Sequence, residues 1–176
     1  MSTIKTNAIQ TVAGKPILNS TGSVLQVVST TKTNIFTSTS ISYVDITGLT
    51  AVITPSSTSN KILVRVDLNG AIAGHTGGVI MRRNGSNIVV GDTVSGINNN
   101  VTFNIYNGGD DTNGQQMWSM SHLDSPATTS AVTYSVAVSC VQGGGTFVIN
   151  DQTSQARNVS YAINAVSNIT VMEISG

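Results

Sequence analysis

In KILVRVDLNG (residues 61–70) apolar and polar side chains alternate with a period of two, and the same alternation returns along most of the chain. A period of two sends successive side chains to opposite faces of a strand; wound as a helix, the same residues would scatter their apolar side chains around the cylinder. Ile62, Val64, Val66 and Leu68 share one face, and Arg65, Asp67 and Asn69 point the other way. In AVTYSVAVSC, Val132, Tyr134, Val136, Val138 and Cys140 face inward, with Thr133, Ser135 and Ser139 outward. Val101, Phe103 and Ile105 repeat the pattern, as do Val159, Tyr161 and Ile163. These β-branched and aromatic residues suit a pleated, half-buried surface, and no apolar stripe of three helical turns competes with them. The expectation is an all-β chain.

Turn chemistry falls between the runs. Asn84-Gly85 in VIMRRNGSNIVV separates two apolar segments, and a type I′ hairpin turn needs positive φ at both of its central positions. Residues 54–61, 107–115, 124–130 and 142–146 read as loops, and Gly77-Gly78 and Gly143–Gly145 read as turns. Roughly eight to ten short strands follow from this count, which predicts an antiparallel β-sandwich of the jelly-roll kind. The final run, NITVMEIS, differs from the others: Ile169, Val171 and Glu173 lie on one face, Met172 and Ile174 on the other. A strand apolar on both faces belongs at the centre of a sheet or at a subunit contact.

Charge narrows the function. Only 9% of the residues are Asp, Glu, Lys or Arg, with eight acids against eight bases, so no field attracts nucleic acid or an anionic membrane. Arg82-Arg83 is the sole basic pair. No apolar run approaches the ~20 residues of a membrane span, and MSTIKTNAIQ has no signal-peptide core. Cys140 is alone and reads as a small core residue. His122, Asp124 and Ser125 supply the residue types of a hydrolytic triad, but strand neighbours rarely converge as a triad must. Asp110-Asp111 reads as a solvated turn, because its spacing fits no calcium loop. No enzyme, cofactor or metal site is expected. Trp118, Met120 and His122 share a strand face, and Trp118, Met172 and Ile174 are the candidate subunit-contact residues.

The first residues behave otherwise. TNAIQTVAGKPILNSTGS holds no aromatic residue and cannot bury a core of its own. Residues 1–23 are therefore expected to be an extended attachment segment, through Ile9, Pro16, Ile17 and Leu18, ahead of a head domain at 24–176. Twenty-odd extended residues reach about 70 Å, enough to lie along a partner or add to a sheet edge.

That leader, together with LQVVSTTKT, YVDITGLTAVITPSSTSNKILV, LDSPATTSAVTYSV and SNITVMEIS, resembles a family of tail-fibre and structural proteins of marine phages, including cyanophages. The order of NGSNIVVGD, a Gly-containing loop and a last apolar strand is similar in architecture to the trimeric jelly rolls of tumour-necrosis-factor and complement C1q head domains. The resemblance implies a virion protein made in the host cytoplasm: a homotrimeric knob or spike tip held to other virion proteins by residues 1–23. Such a knob meets a host-surface polysaccharide or protein; the alternative is a capsid decoration or head fibre without a receptor. With no coiled-coil shaft, the chain is expected to be a tip or knob and not a whole fibre. Its polar loops nominate His75, Asn99, Asp110, Asp111 and Asn113 as receptor-facing residues, within segments 70–78, 92–100 and 107–115.

Overall fold

A computed structural model of the chain describes residues 21–74, 76–96, 99–106, 114–141, 144–152 and 163–176. Eleven strands run through them: β1 (Val24–Lys32), β2 (Phe36–Ser38), β3 (Val44–Ile53), β4 (Lys61–Ala73), β5 (Thr76–Arg83), β6 (Ser86–Ile88), β7 (Phe103–Tyr106), β8 (Gln116–Asp124), β9 (Val132–Ser139), β10 (Thr146–Ile149) and β11 (Ser167–Ile174). They form an antiparallel β-sandwich of a six-stranded and a five-stranded sheet. In the larger sheet one edge of β4 pairs β8, while its other edge pairs first β11 and then β10; β1 lies beyond β11, and β2 beyond β10. In the smaller sheet the order is β3-β9-β5, and β6 and β7 share the far edge of β5.

The alternation read in the sequence builds the core. Ile62, Val64, Val66 and Leu68 of β4 and Ile169 and Val171 of β11 are at most 1% exposed, facing Val132, Tyr134, Val136 and Val138 of β9. Each such aliphatic side chain contributes about 1.5–3 kcal/mol relative to exposure. β11, apolar on both faces, sits between β1 and β4. In β3, Ile46, Leu49, Ala51 and Ile53 all face inward, although 46 and 49 differ by an odd number. A register shift between Asp45 and Thr50, with Gly48 at φ 81, supplies the extra residue that keeps both inside. The Asn84-Gly85 turn forms as expected: Arg83 pairs Ser86, and φ is 50 and 78 at the two turn residues.

Two expectations change. Gly77 and Gly78 lie inside β5 and do not form a turn, so the segment 70–78 is mostly strand. A Cβ at Gly77 would collide with the Phe147 ring and Ile72, and one at Gly78 with the Tyr43 hydroxyl and Val101. These glycines are places of close approach. Ser135 and Ser139 point away from the core yet are 7% and 0% exposed. The segment before β3 covers that outer face, with Ser139 Oγ donating to the Ile41 carbonyl at 2.8 Å. Val159 and Tyr161 lie outside the described residues.

Candidate functional site

The outer face of the six-stranded sheet is assembled by register. Val27 of β1 pairs Met172 of β11, Met172 pairs Leu63 of β4, and Leu63 pairs Leu123 of β8. Four aliphatic side chains therefore form one row across four strands, with Val27 55% and Leu123 51% exposed and the two between them half-buried. Ile174, opposite Lys61, continues the apolar surface toward the end of the sheet. Single exposed apolar residues are ordinary; a contiguous row is the informative observation.

The neighbouring rows are polar, and most of their side chains hydrogen-bond one another. Ser29, Thr170, Arg65 and Ser121 lie side by side, then Thr31, Asn168, Asp67 and Ser119. Asn168 Nδ2 donates to Ser29 Oγ at 3.0 Å and to Thr31 Oγ1 at 2.9 Å, and Thr170 Oγ1 donates to Asn168 Oδ1 at 2.7 Å. Arg65 donates to Asp67 at 3.0 Å, and Ser119 Oγ donates to Asp67 at 2.6 Å. The Arg65 hydrogen bond holds the Asp67 carboxyl below its ordinary range against the opposing effect of burial, with Ser119 adding to it. A groove of 420 Å³, lined by Leu63, Arg65, Ser119, Met120, Ser121 and Met172, lies where apolar and polar rows meet.

Of the nominated contact residues, Met172 and Ile174 are on this face. Trp118 is on the opposite side of its strand, half-buried against the core with Met120. Asn99 is exposed in the β6–β7 loop, where Asn100 Nδ2 donates to Thr93 Oγ1 at 2.9 Å. His75, Asp110, Asp111, Asn113, Ile9, Pro16, Ile17 and Leu18 lie outside the described residues. Val27, Leu63 and Leu123 were not singled out from the sequence; Leu63 on the face of Arg65 and Asp67 was the available signal.

Two residues of the superficial triad, Asp124 and Ser125, are engaged elsewhere. Asp124 accepts from Arg83 Nη1 at 2.9 Å on both oxygens and from the Tyr134 hydroxyl at 2.7 Å, a clasp that joins the two sheets. Burial first, then the Asp124 hydrogen bond, push the Tyr134 hydroxyl far above its ordinary range. Ser125 Oγ accepts from Lys61 Nζ at 2.8 Å. Arg82 donates to Asp45 at 3.1 Å and to Asn87 at 3.0 Å, so both members of the basic pair have acceptors. Cys140 is buried, and that burial raises its thiol pKa away from reactive thiolate. Among the described residues no three His, Cys, Asp or Glu side chains gather where they could share a metal ion.

Glu173 closes the inward face of β11 at 1% exposure. Its carboxylate accepts from Gln26 Nε2 at 2.6 Å, Ser56 N at 2.6 Å, Ser56 Oγ at 2.8 Å and Asn60 Nδ2 at 2.6 Å. Burial pushes its pKa up, but these neutral donors together prevail and hold it at about 2. The cluster ties β1, the β3–β4 loop and β11 together at one end of the sheet that carries the apolar row. No protein-family model and no curated protein matches the sequence.

Proposed function

We propose that the chain is a non-catalytic virion component. Its sandwich is the head of a homotrimer that self-associates through the outer face of the six-stranded sheet, displayed for attachment to a host surface. The carrying observation is the row Val27–Met172–Leu63–Leu123, contiguous aliphatic surface that water would otherwise cover. Most of its polar neighbours already make hydrogen bonds within the chain, which lowers the cost of burying them against another copy. The strand order β1-β11-β4-β8 opposite β3-β9-β5 supports the jelly-roll reading of the head and its likeness to tumour-necrosis-factor and C1q heads. The virion assignment rests on the likeness to phage structural proteins, with residues 1–23 joining the head to other virion proteins. The β6–β7 loop, with Asn99 exposed, supports a receptor-facing role, and threefold display would multiply a weak site by about 10²–10⁴ in avidity. A capsid decoration remains the second placement, since the same trimer would serve it.

Light scattering on the eluting full-length protein tests the assembly. The expected mass is three times 18.2 kDa or a multiple of it, and a Val27→Lys/Met172→Lys variant with an unchanged circular-dichroism spectrum should lose the threefold unit. A native monomer at high concentration, or a variant that stays trimeric, refutes the outer-face contact.

A further inference from the structure

The edge of the same sheet points to a second self-contact. Within the described residues β8 pairs only β4, so its other edge presents backbone donors and acceptors that no described strand takes up. The other edges are short or guarded. β2 and β6 have three residues and β7 four; β1 carries a register shift at Val24/Gln26, and β3 another at Asp45/Thr50. β8 is nine residues in unbroken register, QMWSMSHLD, without Lys, Arg, Pro, Gly or bulge. A long, regular edge without a basic residue or a bulge is an invitation to another strand.

The chemistry of β8 names the strand. About its midpoint, Met120, the segment is symmetric in kind: Ser119 matches Ser121, aromatic Trp118 matches His122, apolar Met117 matches Leu123, and Gln116 matches Asp124. Antiparallel pairing of two identical strands about a twofold axis places those residues opposite one another, each pair occurring twice. Met117 (63% exposed) meets Leu123 of the second copy (51% exposed), and Trp118 meets His122 of the second copy. Directly opposed apolar and aromatic pairs are the favourable cross-strand combinations. No bare like charges are opposed, because the acid of the strand, Asp124, is engaged by Arg83 and Tyr134 and faces a neutral glutamine.

We infer that β8 is a twofold docking edge, on which β8 of a second copy pairs in antiparallel register centred on Met120 to join two six-stranded sheets into one. This contact goes beyond the threefold one. It lies in the plane of the sheet where the other lies on its face, and the two share Leu123 at the edge of the apolar row. Two heads, or two trimers, would be linked by it.

Cysteine pairing tests the register directly, in the Val27→Lys/Met172→Lys background so that the outer face does not contribute. Met117→Cys and Leu123→Cys change exposed positions, and circular dichroism checks that each variant is folded; the native Cys140 is buried. In the inferred register residue 117 of one copy is opposite residue 123 of the other, whereas each is about 20 Å from its own symmetry mate. Under mild oxidation an equimolar mixture of the two variants is expected to give at least ten times more disulfide dimer than either variant alone. Equal yields from single variants and mixture, or no dimer from the mixture, overturn the inference. Because the background lacks the threefold contact, failure of the trimer reading leaves this result unaffected.

Discussion

Replacing Glu173 by Gln removes a buried negative charge that neutral donors hold without an arginine or lysine ion pair among the described residues. The carboxyl has an ordinary pKa of 4.5 and about 2 in the fold. That gap of roughly two and a half pH units, at about 1.4 kcal/mol each, is worth about 3.5 kcal/mol. A depressed pKa means that the folded state binds the proton less readily than the unfolded one. The stabilisation is therefore complete above pH 4.5 and drains away as pH falls toward 2. Glutamine keeps the shape but turns an amide donor toward the donors of Gln26, Ser56 and Asn60, leaving at least one buried donor unmatched at about 1–3 kcal/mol. Urea denaturation of native protein and Glu173→Gln should differ by about 2–3 kcal/mol at pH 7 and converge by pH 2.5. Equal stabilities at pH 7, or a difference that persists unchanged through pH 2.5, would refute the assigned role of the cluster.

Other substitutions test the packing. Gly77→Ala drives a methyl into Phe147 and Ile72 and should cost about 1–3 kcal/mol by thermal denaturation, whereas a tolerated change would mean that β5 shifts freely. Val89 holds a β-branched side chain at φ 54, so Val89→Gly should leave stability equal or higher by about 1 kcal/mol; clear destabilisation would show that its side chain packs usefully. Tyr134→Phe deletes one donor from the Asp124 clasp and should cost about 1 kcal/mol, with Arg83 still in place; no change would remove the tyrosine from that clasp.

The sandwich was legible because most of its strands alternate in sequence: Lys61–Leu68 of β4 shows its buried face residue by residue, whereas β9 is covered on both faces. Glu173 was placed with the inward set by the same alternation. Its donors are out of reach of any local pattern, since Gln26, Ser56 and Asn60 lie more than a hundred residues away in sequence. Gly77-Gly78 looked like a turn because glycine shows nothing of what packs against it. The apolar row was invisible for a different reason. Val27, Leu63, Leu123 and Met172 come from four strands, and only the pairing register, which depends on the whole sheet, sets them in line. The face that Trp118 takes was not legible either, because size and aromaticity do not tell which way a half-buried strand side chain points.

A three-dimensional reconstruction of the purified full-length protein bears most directly on the proposed assembly. Three copies about a threefold axis, with Val27, Leu63, Leu123 and Met172 buried between them, is the expected result. A monomer, or a symmetric oligomer that leaves this row in water, would contradict it.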